Sequence, residues 1–139
     1  MILGKILASF HATSRPTGII CHGPIVLLSA LADANSFTRS LIANDGRANG
    51  LAKGWPYAGY RLTVFSTGEE QALEGANGLG GYVQFYPVNA LAEAGAHVDT
   101  VANWHSNVIV DRELITGQQP MSAPAFGDAL VEKLNAARQ

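Results

Sequence analysis

The single cysteine of the chain, Cys21, lies between two segments of different character. Residues 18–20 (GII) are apolar and β-branched, as buried parallel strands are, and the following His22-Gly23-Pro24 ends in a proline, which is tolerated in the first turn of a helix. We therefore predict a strand-to-helix turn with Cys21 at its tip. This is the nucleophile-elbow geometry, which holds a reactive side chain above the carboxyl edge of a sheet.

A thiol at the start of a helix is close to free N–H groups and to the positive end of the helix dipole. Both favour the thiolate, so we expect the pKa of Cys21 to lie below the ordinary value of about 8.5. The alternative is a small buried hydrophobe, which is the usual role of a lone cysteine in an apolar strand. His22 has three open roles, as base, orienting group or bystander, because neighbouring side chains point apart.

Two carboxylates begin the next predicted helix. Residues 60–65 (YRLTVF) are typical of a strand, and the hydroxyl residues 66–67 followed by Glu69 and Glu70 indicate a helix start. If both strands are parallel, these carboxylates lie at the same sheet edge as Cys21. The alternative is that they only cap the helix dipole.

The remaining histidines show no spacing that resembles a set of metal ligands, so we expect no metal and assign them surface or capping roles: His11, His97 and His105.

The rest of the chain alternates between helical and strand-like patterns, which predicts an α/β fold with a largely parallel sheet. Helices are expected from Ile2 to Phe10, ending before Arg15-Pro16, over 25–31, around 37–42, up to Gly95, and over 123–139; strands are expected over 96–101 and on both sides of a turn at 111–113. Residues 33–59 are polar and rich in glycine and asparagine, so we interpret them as a candidate insertion.

Composition limits the function. A chain of 139 residues with 47% apolar residues fits one domain with one core, and a net charge of −2 disfavours nucleic acid and anionic membranes as partners. One cysteine forms no internal disulfide, which favours a reducing compartment. No apolar stretch approaches about 18 residues and the N-terminus lacks a signal-peptide pattern, so we expect a cytoplasmic protein without a membrane partner.

Three blocks of the sequence, in this order and spacing, resemble the ThiJ/PfpI superfamily of class I glutamine-amidotransferase-like proteins. They are GIICHGPIVLLSA (18–30), KGWPYAGYRLTVFSTGEE (53–70) and DRELITGQQPMSAPAFGDALVEKL (111–134). The chain looks most like the branch of intracellular proteases or amidases that is related to glyoxalase III and to Hsp-type stress chaperones. The resemblance runs from about Leu3 to the C-terminus.

The resemblance implies a flavodoxin-like three-layer sandwich with a mostly parallel sheet and a site that needs no cofactor. Cys21 would be the nucleophile, His22 its partner, and Glu70, less readily Glu69, the acid that completes the site. Gln119 stands where the family usually has asparagine, which leaves these residues unaffected.

The resemblance also implies that the fold is incomplete at the N-terminus. Residues 1–139 form a single domain that resembles the C-terminal portion of a family member, because the family's first strand and Gly-rich loop have no counterpart. Without that strand the Gly18–Cys21 strand has an exposed apolar edge, which favours pairing and a homodimer. Three explanations of the missing part are open: another polypeptide supplies it, the reading frame is truncated, or the chain is an inactive remnant.

For function, the resemblance implies chemistry on a small carbonyl substrate. The first expectation is cysteine-dependent conversion of a 2-oxoaldehyde such as methylglyoxal to a 2-hydroxy acid, and a related amidase or hydrolase activity comes second. Amide hydrolysis needs an oxyanion hole, and the missing loop would remove donors worth about 3 kcal/mol each. A stress-related holdase or redox sensor is the alternative from another class.

Overall fold

The computed structural model describes residues 2–137, and helices and strands alternate along most of this range. The α-helices are α1 (Ile2–Ala12), α2 (Ala34–Ala43), α3 (Ala48–Leu51), α4 (Thr67–Leu73), α5 (Pro87–Glu93) and α6 (Ala123–Ala136). The strands are β1 (Thr17–Ile20), β2 (Arg61–Leu62), β3 (His97–Val98), β4 (Val108–Asp111) and β5 (Leu114–Gly117), and 3-10 helices cover Gly23–Ala30 and Pro120–Ser122.

The strands form two small sheets. β1 pairs in parallel with β5 and β4 pairs antiparallel with β5, so the first sheet has the order β1-β5-β4, while β2 and β3 form a parallel pair. The antiparallel hairpin turns at the predicted position, where Arg112 has a φ of 55°. The α/β class is confirmed. The pairings β1–β5 and β2–β3 are parallel as predicted, whereas the antiparallel β4 makes the three-stranded sheet mixed.

β1 lies at the edge of its sheet, and α1, which precedes it in the chain, is partly exposed. Within residues 2–137, β5 is the only strand that pairs with β1, so the predicted free edge is present in this part of the chain. On α1 the side chains of Ile2, Leu3 and Ile6 are exposed, whereas Leu7 is buried. The described residues thus leave an unpaired strand edge and an uncovered apolar helix face.

α1 packs closely on the first 3-10 helix through Gly4. A Cβ atom at this position would lie 1.9 Å from the backbone oxygen of Ser29, so only glycine permits the contact.

None of the helices in the range 2–137 is both long and apolar enough to cross a bilayer.

Residues 33–59 contribute to the hydrophobic core. Phe37, Trp55 and Tyr57 are all buried. The indole Nε1 of Trp55 donates to the carbonyl oxygen of Leu27 at 2.9 Å, and the Tyr57 hydroxyl donates to that of Leu7 at 3.1 Å. The polar composition of the segment therefore concealed aromatic residues that belong to the same core as the rest of the chain.

Other predicted elements differ mainly in length or type. The helix expected over 25–31 is the 3-10 helix Gly23–Ala30, and the two long predicted strands are reduced to the two-residue strands β2 and β3. α1 ends before Arg15-Pro16 as predicted, α5 ends ahead of Gly95, whose φ is 105°, and α6 begins at the predicted residue. The end of the predicted last helix, 138–139, lies outside the described residues.

Candidate active site

Cys21 occupies a left-handed backbone conformation directly after β1. Its φ is 65°, which is unfavourable for a residue with a side chain by roughly 1–2 kcal/mol. Two backbone hydrogen bonds hold it there: its N–H donates to Gly117 at 2.9 Å and its carbonyl accepts from Phe65 at 2.9 Å. The structure thus has a sharp turn at the predicted elbow. Gly23 permits this turn, because a Cβ atom there would lie 2.5 Å from Ile19 Cγ2.

The three residues predicted for catalysis form one chain of contacts. The Cys21 Sγ lies 3.4 Å from His22 Nδ1, and His22 Nε2 lies 2.6 Å from Glu70 Oε1. Sequence neighbours rarely reach each other in this way, but the left-handed turn at Cys21 places its thiol and the following imidazole side by side. The sequence left the role of His22 open, and the geometry places its ring between thiol and carboxylate.

Glu70 is a buried carboxylate that depends on His22. Its side chain is 1% exposed, whereas that of His22 is 47% exposed. Among residues 2–137 neither carboxylate oxygen receives a hydrogen bond of normal angle, so the His22 contact is an ion-pair contact by distance. A buried carboxylate without other donors favours a positive charge beside it. The contact with His22 Nε2 is therefore the one that offsets the burial of Glu70.

Glu69 makes different contacts. Its side chain accepts from the backbone N–H of Ser66 at 2.9 Å, while the Ser66 hydroxyl accepts from the Glu69 N–H at 3.2 Å, which completes a capping box at the start of α4. Glu69 Oε1 also accepts from the backbone N–H of Trp104 at 2.8 Å. Of the two candidate acids, Glu70 is thus the one beside His22.

The environment raises the pKa of Cys21 instead of lowering it. Burial is the largest cause, and the negative charges of Glu69 and Glu70 add to it, while the backbone N–H of His22 acts in the opposite direction. The predicted lowering of this pKa is therefore wrong. The thiol lies in a partly apolar environment with two carboxylates nearby, and these effects together exceed that of the N–H groups at the helix start.

Three aromatic rings lie in a row beside the thiol. The buried ring of Phe65 stacks on His22 with 4.3 Å between centroids, and Trp104 meets the ring of Phe65 edge to face at 5.9 Å. Trp104 was missed by the sequence analysis, because a lone tryptophan in the polar stretch ANWHSN (102–107) carries no periodic signal.

A second polar cluster lies at the opposite end of β5. Glu113 is buried, and it accepts from the Tyr60 hydroxyl at 2.9 Å and contacts His11 Nδ1 at 3.1 Å. Burial and the neighbouring Glu113 raise the pKa of Tyr60. The expected surface or capping role of His11 is therefore incomplete, whereas His97 and His105 are exposed. Across residues 2–137 no three His, Cys, Asp or Glu side chains are grouped as metal ligands.

Comparisons with known proteins give structural neighbours only. No protein-family model and no curated protein matches the chain. The X-ray structure of Francisella tularensis Rapid Encystment Protein 24 KDa (REP24) is 26% identical with a TM-score of 0.71, and the match covers 95% of this chain and 49% of that one. A crystallographic structure described as APC35852 is 24% identical with a TM-score of 0.69, covering 97% and 51% respectively. The chain therefore shares a fold with proteins of about twice its length.

Proposed function

We propose that the chain is a ThiJ/PfpI-type protein with part of a flavodoxin-like sandwich, and that Cys21, His22 and Glu70 convert 2-oxoaldehydes such as methylglyoxal to 2-hydroxy acids without a cofactor. One observation carries the proposal: a thiol, an imidazole and a buried carboxylate are in contact in that order at a left-handed turn. A cytoplasmic homodimer is part of the same proposal.

In the first step the Cys21 Sγ attacks the aldehyde carbon C1 of the substrate. Because the environment favours the thiol over the thiolate, His22 Nδ1 accepts the thiol proton as the S–C bond forms. The imidazolium is then stabilised by Glu70 at Nε2. The former aldehyde oxygen then takes this proton from the imidazolium, so the step ends with a hemithioacetal beside a neutral imidazole.

In the second step the proton on C1 moves to C2. The neutral imidazole of His22 is the base: it removes the C1 proton and returns it to C2. The proton of the C1 hydroxyl passes to the C2 oxygen, so C1 becomes the carbonyl of a thioester and C2 carries the hydroxyl of the 2-hydroxy acid. Water then cleaves the thioester to the acid and the free thiol of Cys21. The net reaction adds one water to the substrate, and carbon is oxidised at C1 and reduced at C2 without an external oxidant.

Amide or peptide hydrolysis is less well supported at the same site. The tetrahedral intermediate of amide hydrolysis needs several positioned N–H donors. The His22 backbone N–H acts on the Cys21 sulfur, and the 47% exposure of the His22 side chain shows that the site is open to solvent. We expect the isomerisation of a 2-oxoaldehyde to need fewer positioned N–H donors than amide hydrolysis, so it remains the first proposal.

A holdase function is the second candidate, and the exposed apolar residues Ile2, Leu3 and Ile6 of α1 favour it. The free edge of β1 also offers unpaired backbone N–H and C=O groups for pairing with an unfolding client. A redox-sensing role receives less support, since sensor cysteines have lowered thiol pKa values and that of Cys21 is raised.

The test is turnover of methylglyoxal by the purified chain, with formation of lactate as the readout. We expect Cys21→Ser to abolish turnover and His22→Ala to reduce it by on the order of 100-fold or more. The matched control His105→Ala, which alters an exposed histidine, should behave as the parent chain does. Turnover that survives Cys21→Ser, or a parent chain with no turnover, would reject the enzyme. In that case suppression of client aggregation, and its loss in Ile6→Lys, would support the holdase.

A further inference from the structure

The loop between β3 and β4 is fixed by the two glutamines of the LITGQQP block. Gln118 is fully buried; its Oε1 accepts from the Val101 N–H at 2.9 Å and from Asn107 Nδ2 at 3.1 Å. Gln119 is also buried and donates through Nε2 to the carbonyl of His105 at 2.7 Å. The block that carries part of the family resemblance therefore holds the loop 99–107 in place, and it places no side chain of its own on the thiol.

Glu69 connects this loop to the start of α4. Its fully buried carboxylate accepts from the Trp104 N–H at 2.8 Å, from the Ser66 N–H at 2.9 Å and from Gln118 Nε2 at 3.2 Å. Trp104 has a φ of 63°, an unfavourable conformation that needs such support. Because the carboxylate bonds to the backbone of Ser66 at the start of α4 and to that of Trp104, it sets the position of Trp104 relative to α4.

The Trp104 ring in turn contacts Phe65, the residue that stacks on His22. Phe65 is 2% exposed; its ring stacks on His22 and makes a T-shaped contact with Trp104. The His22 side chain is half exposed, and its two nitrogens contact Cys21 Sγ and Glu70 Oε1. The stacked ring of Phe65 is thus the contact on the face of the imidazole, and Trp104 in turn contacts Phe65.

We propose that Glu69 and Trp104 are positioning residues that act through Phe65 to hold the His22 imidazole at the Cys21 thiol. This inference rests on the proposed role of His22 as the base. Glu69 contributes by holding Trp104 in place and does not itself contact the substrate. A displacement of about 1 Å in a reacting group can cost on the order of 100-fold in rate. We therefore expect loss of the Trp104 ring to lower kcat by about 10- to 100-fold, with a smaller change in KM.

The experiment measures the position of the His22 ring directly, by NMR of the imidazole C–H groups of the four histidines. Stacking on Phe65 should shift the His22 signals away from those of an exposed histidine, and His22→Gln identifies them by their disappearance. We expect Trp104→Ala and Glu69→Gln to move these signals toward those of His105. Trp104→Phe, which retains a ring, should restore them. Tyr82→Ala, which removes an exposed aromatic residue elsewhere, is the control.

Unchanged His22 signals in both Trp104→Ala and Glu69→Gln would overturn the inference. Equal changes in the Tyr82→Ala control would overturn it as well, because they would show a general effect of losing an aromatic ring. Trp104→Ala removes the ring that contacts Phe65, whereas Glu69→Gln alters the acceptor of the Trp104 backbone N–H, so Glu69→Gln decides the question if Trp104→Ala does not fold. Because the NMR readout needs no turnover, a chain without methylglyoxal activity rejects the proposed function and leaves this test valid.

Discussion

The raised pKa of Cys21 leads to a quantitative prediction about its reactivity. An ordinary thiol with a pKa of about 8.5 is roughly 3% thiolate at pH 7. Burial and the charges of Glu69 and Glu70 raise the pKa of Cys21, so its thiolate fraction at this pH should be smaller still. Each further unit of pKa lowers that fraction about tenfold.

The perturbation is a rise in pH, and the assay is alkylation of Cys21 by iodoacetamide together with thiolate absorbance, with Cys21→Ser as the blank. The rate should increase about tenfold per pH unit from about pH 6 and should not level off before about pH 8.5. Glu70→Gln removes one of the charges that raise the pKa, so it should shift the curve to lower pH. Glu132→Gln, an exposed position on α6, should leave it unchanged.

The raised pKa of Cys21 also predicts how the free energy of unfolding changes with pH. A pKa that is higher in the folded than in the unfolded chain means that folding favours the bound proton. This contribution is present below the unfolded pKa of about 8.5 and is lost as the pH rises through the folded pKa. The free energy of unfolding should therefore fall in this alkaline range for the parent chain relative to Cys21→Ser. A thiolate already formed at about pH 7 would refute the reasoning and indicate a preformed thiolate–imidazolium pair.

Two further predictions concern the scaffold. Gly4→Ala brings a Cβ atom against the Ser29 carbonyl and should lower the free energy of unfolding by about 1–3 kcal/mol in urea denaturation; Gly50→Ala, with open space around its Cβ, is the matched control, and an equal loss in both would contradict the packing argument. Tyr60→Phe removes the hydroxyl that donates to buried Glu113 and should cost about 1–3 kcal/mol in the same assay; an unchanged midpoint would show that the carboxylate is satisfied without it.

Sequence patterns predicted the parts of the site that depend on where strands end. The elbow at Cys21 followed from an apolar strand, a glycine and a proline. The capping pattern after the next strand gave Glu69 and Glu70 together, and the preference for Glu70 came only from the family resemblance. The side chains meet because Phe65 bonds to the Cys21 carbonyl, which brings the two strand ends together. Local patterns are sufficient where each element has its own start and stop signals.

Other features depend on contacts between distant residues, which no local pattern encodes. The pKa of Cys21 depends on how deeply the turn is buried and on carboxylates about fifty positions away. The core role of Trp55 and Tyr57 depends on carbonyls of the first 3-10 helix and α1 that accept their hydrogen bonds. Trp104 reaches the site only because buried Glu69 and Gln118 hold an irregular loop.

The left-handed backbone at Cys21 lowers the stability of the fold, whereas the proposed chemistry needs a thiol at this position. Glycine adopts this conformation at little cost, whereas cysteine is disfavoured there by roughly 1–2 kcal/mol. Selection for stability alone would therefore replace the thiol with glycine and yield a sturdier chain that carries no nucleophile. A lineage that has lost its substrate should drift in that direction, so the residue found at position 21 in natural variants of this chain records whether the thiol is still in use.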